Sequence, residues 1–234
     1  MNANIIIKTL ESFATPERKK TNEWFFKTGK GEYSEFDKFI GVRVPQTRQV
    51  AKQYFKTIDL KEIDKLISHP VHEVRHCGLI MLVNQYQAGN QEAVFGYYIG
   101  NIQAVNNWDL VDTTTPQIVG DYLHQHPEKL PLLFNFAHSD DLWERRIAIV
   151  ATWAFIKQNE FSTTLKISKL LLTDKQDLIH KAVGWMLREV HKKAPDVCKT
   201  FLQKNYTQLP RTTLRYAIER MEEAERLNYL KGNF

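Results

Sequence analysis

At 234 residues, with 43% hydrophobic and 25% charged side chains, the chain can bury the core of one large domain or one short repeat array. Ten Gly and eight Pro leave no room for a long low-complexity linker, and no window approaches the roughly 18 uninterrupted apolar residues of a membrane span. Charge is unevenly placed within the net +5: residues 141–220 hold 15 Lys and Arg against 8 Asp and Glu, a balance of +7 that leaves −2 for the rest. A basic C-terminal part suits a polyanion-binding face, although a set of solvated lysines would give the same tally.

The opening segment, MNANIIIKTLESF, carries only a three-residue apolar run before Lys8, too short for a secretory leader, so a cytosolic protein is expected. Residues 1–40 are the least regular part of the chain. Within them KTGKGEYSEFDKF contains Gly29 and Gly31 but lacks the GxxxxGK[ST] spacing of a phosphate-binding loop, and no strand precedes it. A plain loop is expected there.

From residue 40 onward helical signals dominate. Sustained alternation of Val, Ile and Thr is absent, as are Asn-Gly and Asp-Gly turns between apolar segments. Pro45, Pro70, Pro127, Pro195 and Pro210 each stand where a helix should begin, a position at which proline sacrifices no hydrogen bond. His72, Glu73 and His76 spell HExxH, which on a helix could hold zinc. No third ligand follows at a suitable spacing, and the same residues fit a scaffold helix with Val74 and Cys77 facing inward and Glu73 and Arg75 facing water. No metal or cofactor is expected. Cys77 and Cys198 sit in apolar helical contexts and read as reduced packing residues.

Superposing EVRHCGLIML, LVDTTTPQIV, ERRIAIVATW, IHKAVGWMLR and TLRYAIERM aligns Arg75, Asp112, Arg146, Lys181 and Arg215, at separations of 37, 34, 35 and 34 residues. A polar residue leading an apolar helix at that period predicts an all-α fold, a right-handed α-solenoid of HEAT-like helical repeats over residues 1–234 as one domain. One helix per repeat would line the concave side and present the five aligned positions to a ligand. Trp108 and Asp112 stand at i and i+4, and Trp185 stands four residues after Lys181. A single such pair is equally a core Trp beside a capping Asp. Recurrence of the spacing, with Arg146 aligned between the two pairs, favours a shared site.

FIGVRVPQTRQVAK, WDLVD, LWERRIAIV and KAVGWMLREV together resemble the AlkD-like DNA glycosylases, HEAT-repeat proteins that excise N3- and N7-alkylated purines. The likeness runs from about residue 39 to 220. It implies that Asp112 is the catalytic carboxylate, that Trp108 and Trp185 are aromatic walls, and that Arg146 holds a phosphate. Arg48, Lys181, Arg188 and Arg215 are further candidates for the DNA backbone. The stretch before Gly41 is longer and more polar than the family pattern, which leaves a lesion-side aromatic open among Trp24, Phe25 and Phe26. The implied partner is duplex DNA with alkylated bases, bound by a monomer. The rivals are a non-catalytic binder of bent or branched DNA and a protein-interaction scaffold.

Overall fold

The computed structural model describes residues 1–234, and every regular element in it is a helix. The chain groups into two compact units, residues 1–114 and 115–234. Beyond the helices, the backbone forms a single isolated parallel bridge between Lys38 and Val71.

The first unit holds α1 (Ala3–Glu11), α2 (Pro16–Phe25), α3 (Val44–Tyr54), α4 (Leu60–Ile67), α5 (His72–Gln87), α6 (Gln91–Gly100) and α7 (Trp108–Thr115). Local chemistry sets the starts. Pro16 and Pro45 occupy first-turn positions, and the side chains of Asn2, Thr15 and Asp59 accept the free N–H groups at the heads of α1, α2 and α4. In α4 the apolar residues fall at Ile63, Leu66 and Ile67, one face of a helix, and that face packs against α5.

The central helix is α5, against which α1, α3, α4 and α6 all pack. Every residue from His72 to Val83 is buried, polar ones included. Glu73 is 4% exposed and Arg75 6%, so neither faces water as the repeat pattern predicts. The reason lies in segment 37–42, which runs beside the head of α5: the His72 N–H donates to the Lys38 carbonyl at 2.8 Å, and the expected helix start at Pro70 becomes an extended lead-in paired with Lys38. Gly41 makes this approach possible. It has φ +92°, and a Cβ there would collide with the Thr15 carbonyl oxygen and the Lys19 backbone.

The second unit holds α8 (Asp121–Gln125), α9 (Pro131–Ala137), α10 (Leu142–Ala151), α11 (Trp153–Lys157), α12 (Ser162–Leu170), α13 (Asp177–Lys193), α14 (Pro195–Asn205), α15 (Arg211–Ala217) and α16 (Glu223–Lys231). Pro195 opens α14 and Pro210 immediately precedes α15, as their positions predict, whereas Pro127 heads only a single turn before α9. Helix α13 buries Ile179, Ala182, Val183, Met186, Leu187 and Val190 at three- and four-residue intervals and packs on α10, α14 and α15. Its approach to α15 is close at Gly184, where a Cβ would lie 2.5 Å from the Tyr216 Cβ and 2.6 Å from the Thr213 carbonyl oxygen. Cys77 and Cys198 are free and buried, and burial pushes both thiols up to about 12, so they pack as inert apolar groups.

Candidate active site

The head of α7 carries Trp108, Asp109, Asp112 and Thr113, and all four line one cavity of about 250 Å³ in the first unit. The i, i+4 relation of Trp108 and Asp112 thus places both on the same wall. The facing walls come from α2 and from the segment before α3: Phe25, Phe26, Phe39 and Val42. Phe26 stacks on Trp108 at 5.3 Å with 21° between planes, and Phe25 meets the same indole edge-on at 5.6 Å. Phe39 continues the stack 5.0 Å beyond Phe26. Of the three N-terminal aromatic candidates, Phe25 and Phe26 therefore reach this cavity. Trp24 is 81% exposed and borders a different hollow with Lys27 and Glu32.

The segment read as a plain loop fixes the start of α7. Asn107, fully buried, donates from Nδ2 to Ser34 Oγ at 2.6 Å and to Asp37 Oδ2 at 2.8 Å, and Trp108 Nε1 donates to the Tyr33 hydroxyl at 3.1 Å. GKGEYSEFDK thereby supplies the Tyr33 hydroxyl to the Trp108 indole and two acceptors to Asn107 beside it.

Beneath the cavity lies a buried chain of charges built from the HExxH residues. Arg75 pairs with Asp37, whose other oxygen lies 3.4 Å from His72 Nδ1; His72 Nε2 is 2.8 Å from Asp109 Oδ2. Burial alone would keep His72 neutral, but Asp109 and Asp37 outweigh it and hold the imidazolium up to about 9. Burial likewise works against ionising both carboxylates, and His72 and Arg75 overcome it at Asp37 while His72 and His76 do so at Asp109, so both are held low. His76 differs. Its Nε2 is 3.2 Å from Thr113 Oγ1, and burial, helped by the charges of His72 and Arg48, outweighs Asp109 and depresses it to about 4. Glu73 is an acceptor only: it takes Asn22 Nδ2 at 3.0 Å and the N–H groups of Ile40, Gly41 and Val42 at 2.9–3.3 Å. Both histidines and the glutamate of the motif are thus engaged in joining α2, α5 and α7.

The remaining sequence-predicted residues fall elsewhere. Arg48 is exposed on α3. In the second unit Asp141 caps α10, accepting from Trp143 N at 2.7 Å, and Arg146 on that helix is 5% exposed with Nη1 donating to the Leu178 carbonyl at 2.6 Å. Neighbouring Arg145 binds Asp174 at 2.6 Å and the carbonyls of Ser139 and Asp140. On α13, Lys181 pairs with Asp177 at 2.8 Å, Trp185 Nε1 donates to Glu189 at 3.2 Å with its ring 5.7 Å from Trp153, and Arg188 pairs with Glu219. Arg215 is exposed on α15. Arg75, aligned with these in the repeat register, is taken up by Asp37 and presents nothing to a ligand.

An all-helical protein with an aromatic, carboxylate-lined cavity at one helix head and a basic second half is the class these features define. Residues 6–221 match the model of the DNA alkylation repair enzyme family, and the chain belongs to that family. Among solved structures it is similar to a predicted DNA alkylation repair enzyme from Enterococcus faecalis (TM-score 0.72, 19% identity, covering 90% of this chain and 97% of that one). It is also similar to AlkD2 from Streptococcus mutans (TM-score 0.56, 18% identity, covering 88% and 98%). At such identities these likenesses speak for the fold alone. No curated protein matches the chain.

Proposed function

We propose that the protein is a monofunctional DNA glycosylase that hydrolyses the N-glycosidic bond of cationic N3- or N7-alkylated purines in duplex DNA, acting as a cytoplasmic monomer without a cofactor. The observation that carries this reading is the placement of Asp112 and Trp108 together on the wall of an aromatic cavity. An alkylated purine already bears positive charge, so it departs as a neutral base and needs no general acid. Positive charge then develops on the deoxyribose. Asp112 stabilises that oxocarbenium ion and orients the water that attacks the anomeric carbon, leaving free base and an abasic site. The face of Trp108 adds a cation–π contribution of about 0.5–2 kcal/mol when desolvated.

In the second unit, Trp185, held by Glu189, is assigned a second aromatic contact to the sugar. Arg146 and Lys181 there, with Arg188, are assigned to phosphates, joined by Arg48 on α3. Arg146, Lys181 and Arg188 are each engaged by a carbonyl or carboxylate oxygen that a phosphate oxygen resembles.

Mass spectrometry of bases released from methylated duplex DNA tests the reading. The wild type should release 7-methylguanine, and Asp112→Asn should lower that release at least about 1000-fold while DNA retention stays close to wild type. Equal release by both proteins overturns the role of Asp112. Salt-dependent retention with no release by the wild type indicates the rival, a non-catalytic binder of bent or branched DNA; retention indifferent to salt indicates a protein scaffold.

A further inference from the structure

Resting on the glycosylase reading, we propose that Arg18 grips a backbone phosphate next to the sugar that Asp112 serves, so that the first unit holds its own clamp on the damaged strand. Arg18 lines the aromatic cavity together with Trp108 and Asp112. It shares one face of α2 with Asn22, Phe25 and Phe26, at positions i, i+4, i+7 and i+8, and all four residues reach that cavity. Two contacts fix this face: Asn22 Nδ2 donates to Glu73 at 3.0 Å, and Phe26 stacks on Trp108. The turn of α2 that carries Arg18 is therefore held in place across the cavity from α7.

The protein leaves part of this guanidinium unused. The residue is half-buried, and its Nε is shielded from water without a hydrogen-bond partner. Three carboxylates line the same cavity, and two are already committed. Glu73 accepts from Asn22 and from the N–H groups of Ile40, Gly41 and Val42, and Asp109 accepts from His72 and the Leu110 N–H. The first turn of α2 is also a poor place for a cation, because the free N–H groups at a helix head attract anions. A buried donor without an acceptor and a cation at the positive end of a helix both cost stability, and an incoming anion relieves both. DNA brings such an anion to the required place. Each deoxyribose is bracketed by two phosphates, so a sugar that meets Asp112 carries phosphate toward the neighbouring walls, where the guanidinium fork matches two of its oxygens at once.

Binding to a duplex with a single abasic-site analogue, on which no chemistry occurs, tests the contact apart from the reaction. Methylphosphonate, which removes the charge of one phosphate, is placed at each linkage around the analogue in turn. In the wild type one linkage should weaken binding about tenfold. Arg18→Ala, with an unchanged melting temperature, should bind the all-phosphate duplex about tenfold more weakly, lose nothing further at that linkage and show a salt slope lower by about 0.9. Arg18→Gln, closer in shape and equally uncharged, carries the same test if the Ala variant melts lower. Arg18→Lys should regain the salt slope but not the full affinity, since an ammonium lacks the fork. The proposal is overturned if a folded uncharged variant binds as tightly as the wild type, or loses as much as the wild type at every linkage. Binding by the wild type that ignores every linkage overturns it too, and no binding at all overturns both readings. Failure of the wild type to release 7-methylguanine, with the coupling intact, overturns the glycosylase alone and leaves Arg18 as a phosphate contact.

Discussion

Two sets of carboxylates, one in each unit, do opposite work. In the first, Asp37, Glu73 and Asp109 are shielded from water and each is committed to fixed partners: Arg75 and His72, three backbone N–H groups with Asn22, and His72 with His76. In the second, Asp177 and Glu219 pair with Lys181 and Arg188 where solvent reaches them. A buried pair cannot lose one member without stranding the other charge, whereas an exposed pair contributes about 0–1 kcal/mol and exchanges its carboxylate readily. These three acids of the first unit therefore fix shape, whereas the acids facing Lys181 and Arg188 leave those cations available to a stronger anion.

The largest effect should come from Glu73→Ala, which strands Asn22 Nδ2 and the N–H groups of Ile40, Gly41 and Val42 together. Urea unfolding should show a drop of about 3–5 kcal/mol in stability, and a drop below about 1 kcal/mol would show that segment 37–42 finds other partners.

Titration of the buried histidines comes next. His72 is raised in the folded protein, so its contribution is fully present below its ordinary value of 6.5 and is lost as pH climbs to about 9. His76 is lowered, so the unfolded chain takes up the proton first and stability falls as pH drops from 6.5 toward about 4. Melting temperature should thus peak near pH 6.5. His72→Gln should flatten the alkaline limb and His76→Gln the acid limb; identical pH profiles in wild type and both variants would falsify the charge chain.

In the second unit the expected changes concern affinity. Replacing Arg146, Lys181 and Arg188 with Ala should reduce the salt slope of DNA binding by about 0.9 for each phosphate no longer neutralised. An unaltered slope removes all three from the interface. The smallest effect is that of Asp177→Asn, which releases Lys181 from its exposed partner. Stability should move by no more than about 0.5 kcal/mol while DNA retention shifts to slightly higher salt, and weaker retention would contradict the role given to Lys181.

The all-helical class was legible because proline-led starts and three- and four-residue apolar spacing are local properties; the first survives in α3 and α14 and the second in α13. The pairing of Trp108 with Asp112 was legible for the same reason, being one turn of one helix. What escaped was the meeting of distant segments. The repeat register gave Glu73 and Arg75 an outward face, but it carries no trace of segment 37–42 lying across the head of α5. Phe26 meets both Trp108 and Phe39 through packing that no spacing encodes, and Tyr33, Ser34 and Asp37 belong to a stretch whose composition reads only as polar loop. One signal was available: WFF, ahead of an HExxH whose histidines lacked a third ligand, holds more aromatic groups than a scaffold helix requires.

The ties from Ser34, Asp37 and Tyr33 to the head of α7 have a kinetic consequence. They join positions 70–75 residues apart, whereas α3, α4 and α6 meet α5 over much shorter stretches of chain. Closing so long a loop is entropically unfavourable until both ends are already ordered. The indole wall thus locks late in folding and is released early in unfolding, so amide exchange at the head of α7 should run ahead of exchange in α5, and the protein can lose its competence for chemistry while its helices are still intact.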